Sequence, residues 1–470
     1  MTECIQSQFG FSKHFRREVV GEFSGGTTTS DGGALLLRET DQKMNLLARF
    51  SQCFLDGRNP ALIEHSVEQM LAQRVYGLAL GYEDLNDHEQ LRHDSLWGVL
   101  AGKVEAGQEP LAGKSTLNRL ELGDGTPDRY KKILFWRDAI DDLLVDVFLE
   151  AHTAAPEQIV LDIDTTDFAL HGEQEGRFYH GYYDHYCYLP LYVFAGEHVL
   201  CARLRSSNID PSAGGRQELE RIVQRIRAKW PEIKIVLRGD AGFCREELMA
   251  WCEANQVDYV LGMARNPLLE KRVAEELRQA RQLWDEKQQP ARIFVEFEHE
   301  TVSGTWSRRR RVVAKAEHIE DKSNPRFVVT SLGAELWRAQ PLYEDLYCAR
   351  GDMENRIKEC QLDLFADRTS TATMRANQLR LWFYSMAYVL LCALRRIGLY
   401  DTDLAEATCG TIRLKLLKVG ALVRISVRRI RIAMASACPN AQIWETAAVR
   451  LGLAARARAG PASHALPHAS

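Results

Sequence analysis

Carboxylates close two apolar runs of this chain. Asp162 and Asp164 end Gln158-Ile-Val-Leu-Asp-Ile-Asp, and Asp240 ends Ile233-Lys-Ile-Val-Leu-Arg-Gly-Asp. If each run is a strand, side chains alternate with period two, so Asp162 and Asp164 share one face. A carboxylate beside a buried strand needs solvent, a partner or a metal. A local reading competes: Asp240 can cap the helical start at Ala241-Gly242-Phe243, and Asp162 and Asp167 can satisfy turn amides. A further acid lies in Tyr347-Cys-Ala-Arg-Gly-Asp-Met-Glu-Asn-Arg-Ile-Lys-Glu-Cys-Gln361. On a helix, Tyr347, Arg350, Glu354, Lys358 and Gln361 recur at three- and four-residue steps and form one polar stripe. Such a stripe is either a solvated face or part of a site, and a solvated face does not call for Tyr and Arg aligned with a carboxylate. Carboxylates from three separate elements are what two-metal phosphoryl transfer needs: two divalent ions about 3.5–4 Å apart activate the attacking oxygen and stabilise the leaving one. Mg²⁺ takes few carboxylates and keeps several waters, so sparse acids suffice. Arg350 and Lys358 could hold a phosphate, the first as a fork and the second as a point charge.

The elements that position these residues change texture along the chain. Residues 1–150 read as helical. Asp31 can cap a helix through Leu35-Leu-Leu-Arg, Ser66 to Leu80 carries apolar residues at helical spacing, and Tyr130 to Ala151 does the same. Glycines at 102, 107, 113, 123 and 125 separate the pieces. From Pro156 strands take over: Gln158 to Asp164, Tyr186 to Phe194, His198 to Leu204, Ile233 to Asp240 and Asp258 to Gly262, with helices at Arg216 to Trp230 and Arg245 to Asn255. This is an α/β pattern with its strands in one mixed sheet. Residues 268–325 interrupt it with a charged helix and alternating stretches, a β-rich insertion. Phe327 to Leu332 returns to strand, and helices are expected near 341–360 and 372–398. Val423-Arg-Ile-Ser-Val-Arg-Arg-Ile-Arg-Ile alternates with period near two, which predicts a strand with a basic face.

The whole chain sets bounds. Its 470 residues carry a net charge of −4, so any nucleic-acid surface must be a local basic patch. The 11 cysteines form no C-x-x-C pair, which argues for reduced, buried thiols rather than a disulfide framework or zinc ribbon. The first twenty residues lack the apolar region of a signal peptide. The apolar stretch Leu381 to Leu394 is too short to span a bilayer and reads as a core helix. The tail 456–470 is rich in Ala, Pro and Ser and is expected to be disordered.

Several stretches resemble the DDE transposases with a ribonuclease-H-like core, nearest to the 1380 family of insertion sequences. They are Thr28-Thr-Ser-Asp-Gly-Gly-Ala-Leu-Leu-Leu-Arg, Gly81-Tyr-Glu-Asp-Leu-Asn-Asp-His, Lys114-Ser-Thr-Leu-Asn-Arg-Leu-Glu, Leu161-Asp-Ile-Asp-Thr-Thr-Asp, His171-Gly-Glu-Gln-Glu-Gly, Tyr188-Leu-Pro-Leu, Leu237-Arg-Gly-Asp-Ala-Gly-Phe and Glu354-Asn-Arg-Ile-Lys-Glu. The resemblance implies that Asp164, Asp240 and Glu354 are the catalytic and metal-binding acids, with Asp162 in reserve for the first. Two Mg²⁺ ions are implied, and Mn²⁺ can substitute. Tyr347, Arg350 and Glu354 match the Y-x-x-R-x-x-x-E-x-x-x-x-x-x-K signature of the wider superfamily; Gln361 stands where its Lys belongs, and Lys358, one turn earlier, could take the phosphate. The insertion 268–325 falls between the second and third acids, dividing the core into 151–267 and 326–400 ahead of a C-terminal region at 401–455. By the same resemblance it holds a DNA hairpin, with Trp306 as the aromatic that stacks on a base; the local alternative for that stretch is a solvated hairpin tip.

The implied activity is cut-and-paste transposition at terminal inverted repeats, by phosphodiester hydrolysis and strand transfer, with a hairpin intermediate as one route. The implied partners are double-stranded DNA and a second copy of the chain. No membrane is involved; the expected location is the bacterial cytoplasm, at the nucleoid when bound to DNA. By the same resemblance, repeat readout falls mainly to the helical N-terminal region, where Lys114 to Arg119 reads either as a recognition-helix start, with a Ser/Thr cap and with Asn118 and Arg119 able to reach bases, or as an ordinary capped helix. Arg308, Arg309, Arg310 and Arg311, and the row Arg424, Arg428, Arg429 and Arg431, are candidate phosphate contacts or solvated faces. Two other readings stay open: an inactive relative that binds repeat ends as a repressor, and a stand-alone nuclease that cuts without joining.

Overall fold

The computed structural model describes residues 7–103, 110–123, 130–301, 304–320 and 322–454. The tail 456–470, Gly107 and Gly125 lie outside them. The chain opens with a hairpin of β1 (Gln8–His14) and β2 (Arg17–Glu22) that the helical expectation missed; both strands are exposed almost throughout. The short strand β3 (Thr28–Thr29) follows. Helices α1 (Leu35–Met44), α2 (Leu46–Gln52) and α3 (Val67–Ala79) come next, and the Ser66/Gln69 capping box fixes the start of α3. Asp31 makes no cap bond. It is buried and accepts from Trp97 Nε1 at 3.1 Å, the Tyr82 hydroxyl at 3.1 Å and Lys418 Nζ at 2.8 Å, tying the two ends of the chain together. The helical piece expected from Tyr130 begins later, as α5 (Arg137–Glu150), after α4 (Lys114–Glu121).

The central sheet has nine strands. Those that matter are β4 (Gln158–Thr165), β5 (Leu191–Ala195), β6 (His198–Arg203), β7 (Lys234–Gly239), β8 (Asp258–Met263), β9 (Ala291–His299), β10 (Arg310–Ile319) and β11 (Arg326–Thr330). Their spatial order is β6-β5-β4-β7-β8-β11-β10-β9. Strands β6, β5 and β4 are antiparallel neighbours, β7 and β8 run parallel to β4, and the rest alternate. The stretch Tyr186 to Phe194 is not one strand. His185–Tyr188 joins a separate three-stranded sheet, and the chain enters β5 only after Pro190, which has no amide to give to a ladder. Within residues 268–325, β9 and β10 continue the central sheet rather than forming a sheet of their own.

Alternation decides what each face meets. Ile159, Leu161, Ile163, Ile235, Leu237, Tyr259 and Leu261 face a core built with Val145 and Phe148 of α5, Ile222 and Ile226 of α6 (Gly215–Lys229), and Leu248 and Cys252 of α7 (Glu246–Ala254). The opposite face carries Asp162, Asp164, Arg238 and Gly262, with Val236 and Val260 packed on Leu342, Tyr343 and Leu346. The segment 339–363 therefore lies on the polar face of β4 and β7. It is not one regular helix. Wide turns at Leu342–Tyr347 and Glu359–Asp363 flank a tight turn at Cys348–Arg350 and the regular α8 (Gly351–Lys358).

The apolar stretch at Leu381 lies in the 25-residue α9 (Met374–Gly398), which is buried nearly all round. Phe383 meets Phe50 of α2 edge-on at 6.0 Å, and Trp382 meets Phe135 at 5.6 Å, so the N-terminal helices and α9 share one core. No helix among the described residues is long and apolar enough to cross a membrane. The single strand expected after Val423 is a hairpin, β12 (Ala421–Ser426) and β13 (Arg429–Met434), whose root pairs with β3.

Candidate active site

Each acid arrives on its own element. Asp164 sits one residue from the end of β4, buried, with one oxygen accepting the Thr165 amide at 2.8 Å. Asp240 follows β7 directly and does cap the next turn, accepting the Gly242 amide at 2.8 Å. Glu354 projects from α8 and is half-exposed. Arg350 joins two of them, donating to Asp164 Oδ2 at 2.8 Å and to Glu354 Oε1 at 2.6 Å. Burial pushes Asp164 up to about 6, with Asp240 and Glu354 adding to the rise against the opposing Arg350. A buried carboxylate that feels two like charges favours a cation beside it. In this arrangement Arg350 is that cation, and among the described residues no three acids stand close enough to grip one metal ion together.

Asp162 has another occupation. Arg238 is its register partner on β7 and grips both carboxylate oxygens at 2.7 Å. The same guanidinium donates to the Leu346 carbonyl at 2.7 Å. Arg238 thus touches the residue two before Asp164 and the residue next to Tyr347, and itself stands two before Asp240. Arg238 is not among the residues singled out from the sequence. The available signal was a charged residue inside a buried strand, since arginine is rarely buried without an acid.

Tyr347 packs against Gly262 of β8. A Cβ at Gly262 would stand 2.5 Å from its hydroxyl, so glycine is what lets the ring lie beside Asp240. A cleft of about 410 Å³ opens there, lined by Asp240, Gly262, Arg265, Arg326, Tyr343 and Tyr347. Lys358 is exposed on α8. Gln361, in the signature's lysine position, donates to Thr166 Oγ1 at 3.2 Å and so contacts the loop leaving β4.

The remaining candidates lie elsewhere. Trp306 is half-buried between β9 and β10, edge-on to His299 at 5.5 Å and under the Arg310 guanidinium at 5.5 Å. Arg308 and Arg309 are exposed, 3.6 Å from Glu253 and 3.2 Å from Glu300. Arg310 corrects the expectation of a free cation: it is buried, and all three of its guanidinium nitrogens bind Glu246 or Glu253. Arg119 lies on the exposed side of α4, 6.0 Å from the Tyr130 ring, in a cleft of about 290 Å³ shared with Arg58, His65 and Lys132. Helix α4 has no Ser/Thr cap. Gly113 precedes it, and Glu89 accepts the Lys114 amide at 2.7 Å instead.

A sheet whose parallel strands β4 and β7 end in acids, opposite a helix that supplies a third, has the donor chemistry of a carboxylate-based phosphoryl-transfer site. The sequence matches the family described as transposase DDE domain group 1 over residues 11–455, and the chain belongs to that family. No curated protein matches it. Among solved structures it is similar to the cryo-EM structure of a piggyBac transposase synaptic complex with hairpin DNA, at 11% identity and a TM-score of 0.41, over 83% of this chain and 80% of that one.

Proposed function

We propose that this protein is a cut-and-paste DNA transposase of an insertion sequence, near the 1380 family, with Asp164, Asp240 and Glu354 as its catalytic acids. The observation that carries the reading is the convergence of these acids, from β4, β7 and α8, on one face around Arg350. The order of three antiparallel strands followed by two parallel ones supports a ribonuclease-H-like core. The fit to a divalent metal is one of donor chemistry: all three groups are hard oxygen donors, which suit Mg²⁺ or Mn²⁺. The three acids would hold two such ions, whose contribution is to sharpen the attacking oxygen and neutralise the leaving one. For that, Arg350 must release Glu354 at least.

Cleavage adds a water oxygen to the phosphorus at the element's end and breaks the bond to O3′. The departing O3′ takes up a proton, leaving a 3′-hydroxyl and a 5′-phosphate. Strand transfer repeats the exchange, with that hydroxyl attacking a phosphorus of target DNA, or of the opposite strand to give a hairpin. Arg350, once released in the turn before α8, and Lys358, exposed at the end of α8, would bind the phosphates. Trp306 with Arg308 and Arg309 forms the hairpin-holding edge, and Arg119 contributes to end recognition. Two ends are joined by a homodimer at the bacterial nucleoid.

One observation favours a second reading. Arg350 neutralises two of the three acids, as in a relative that binds ends without cutting them. Incubation with the element's own end DNA and Mg²⁺ separates the two. Nicked ends and joined products support the transposase; tight binding with no product in Mg²⁺ or Mn²⁺ supports the repressor; nicks without joining support a nuclease.

A further inference from the structure

The β12–β13 hairpin is an arm with two unlike faces. Strand parity puts Arg424, Arg429 and Arg431 on one side and Val423, Ile425, Ile430 and Ile432 on the other, with Val427 and Arg428 at the tip. Among the described residues, it is the root that is held. Ala421 and Val423 are buried, and β3 pairs with Ala421 and Leu422 alone. The root is fastened further by Lys418, three residues before the arm, through its bond to the buried Asp31. From Arg424 to Arg431 every residue is exposed, Val427 completely.

The charge on this arm is unbalanced. Residues 421–434 contain four arginines and no acid. Among the described residues none of the four guanidinium groups has an ion-pair partner. Arg424 and Arg431 are direct cross-strand partners, an arrangement in which like charges repel. No acid among the described residues pairs with these arginines to offset that repulsion, so the arm is complementary to an external polyanion. Three residue pairs beyond the root extend about 10 Å at ~3.4 Å per residue, against a DNA major groove about 8.5 Å deep that admits a two-stranded ribbon.

We propose that this hairpin is a DNA-gripping arm. It enters a groove of duplex DNA with its arginine face on the phosphates of one strand, and its grip does not depend on sequence. The inference rests on DNA being the substrate.

The test measures duplex binding as a function of salt for the full-length protein and for the variant Arg424→Gln/Arg429→Gln/Arg431→Gln. Two duplexes are used, the element's end and an unrelated sequence. Removing one arginine from a phosphate lowers the slope of log affinity against log salt by about 0.9, so the slope of the triple variant should be shallower by about 2.7 on both duplexes. Its thermal unfolding should be unchanged or slightly raised, because a like-charge pair is removed; a merely structural role would lower it. A folded variant with the wild-type slope on both duplexes overturns the proposal. So does a variant that keeps its DNA slope but no longer binds anionic phospholipid vesicles, which would make the arm a membrane contact. If wild type itself binds neither duplex, the transposase reading fails instead.

Discussion

Arg350 donates to Asp164 at 2.8 Å from 186 residues further along the chain, and that contact places α8 on the end of β4. Asp164 is buried beside two other acids, so its charge depends on this guanidinium when no metal is bound. Arg350→Ala should therefore destabilise the metal-free protein by about 3 kcal/mol, the usual cost of orphaning one half of a buried pair. Added Mg²⁺ should raise the melting temperature of Arg350→Ala by more than it raises that of wild type. Equal shifts in thermal unfolding would mean that Arg350 and metal do not compete for the same acids.

Arg238 and Asp162 set the frame beneath the site. Replacing both by methionine fills the buried volume with apolar groups, and such swaps often leave stability unharmed. The double variant should fold and bind end DNA, yet need about 10- to 100-fold more Mn²⁺ for half-saturation, the usual effect of losing groups that orient metal ligands. Electron paramagnetic resonance titration of the DNA-free protein reads this directly. Wild-type Mn²⁺ affinity in the folded variant would reduce Arg238 to a packing role.

Glu121 holds the N-terminal helices to α9. It is fully buried, accepting from Arg74 Nε at 2.6 Å and from Arg380 Nε at 2.7 Å. Glu121→Ala leaves two arginines facing each other and should cost about 3–5 kcal/mol in denaturant unfolding. A loss under about 1 kcal/mol would show that the pair is hydrated or replaceable.

Acid should weaken the fold through His88. Burial, with Arg74 beside it, holds this imidazole down to about 3 against an ordinary 6.5. Below pH 6.5 the unfolded chain takes up a proton that the folded chain refuses until about pH 3. The stability His88 confers is complete above 6.5 and drains as the pH falls, by at most about 1.4 kcal/mol per unit. Relative to His88→Gln, wild type should lose ground as the pH falls from about 6.5 to about 4; parallel stability profiles would contradict the buried neutral ring.

Much of the sheet was legible because buried strands announce themselves by apolar runs, as at Ile159 to Ile163 and Ile235 to Leu237. Asp164 and Asp240 stand out in the sequence because a carboxylate that ends such a run is conspicuous, whereas Glu354 stands out by its place in the polar stripe with Tyr347 and Arg350. What escaped depends on pairing across the chain. Asp31 reads as a cap by its neighbours, but its partners are Tyr82, Trp97 and Lys418. Arg310 reads as part of a basic cluster until Glu246 and Glu253, some sixty residues earlier, claim it. The β12–β13 turn was missed because Val427-Arg428 lacks the Gly, Asn or Asp that marks a tight hairpin. The stripe from Tyr347 to Gln361 has one regular period in the sequence, whereas wide and tight turns interrupt it in the fold, a feature that recurs at functional sites.

The roles of the three acids are tested by removing them one at a time. Asp164→Ala, Asp240→Ala and Glu354→Ala are compared with wild type for binding, Mg²⁺-dependent cleavage and strand transfer on the element's own end DNA. Wild type should cut and join, while each variant binds the DNA with near-normal affinity and yields neither product. A variant that is folded and still cuts at the wild-type rate would contradict the place given to that acid.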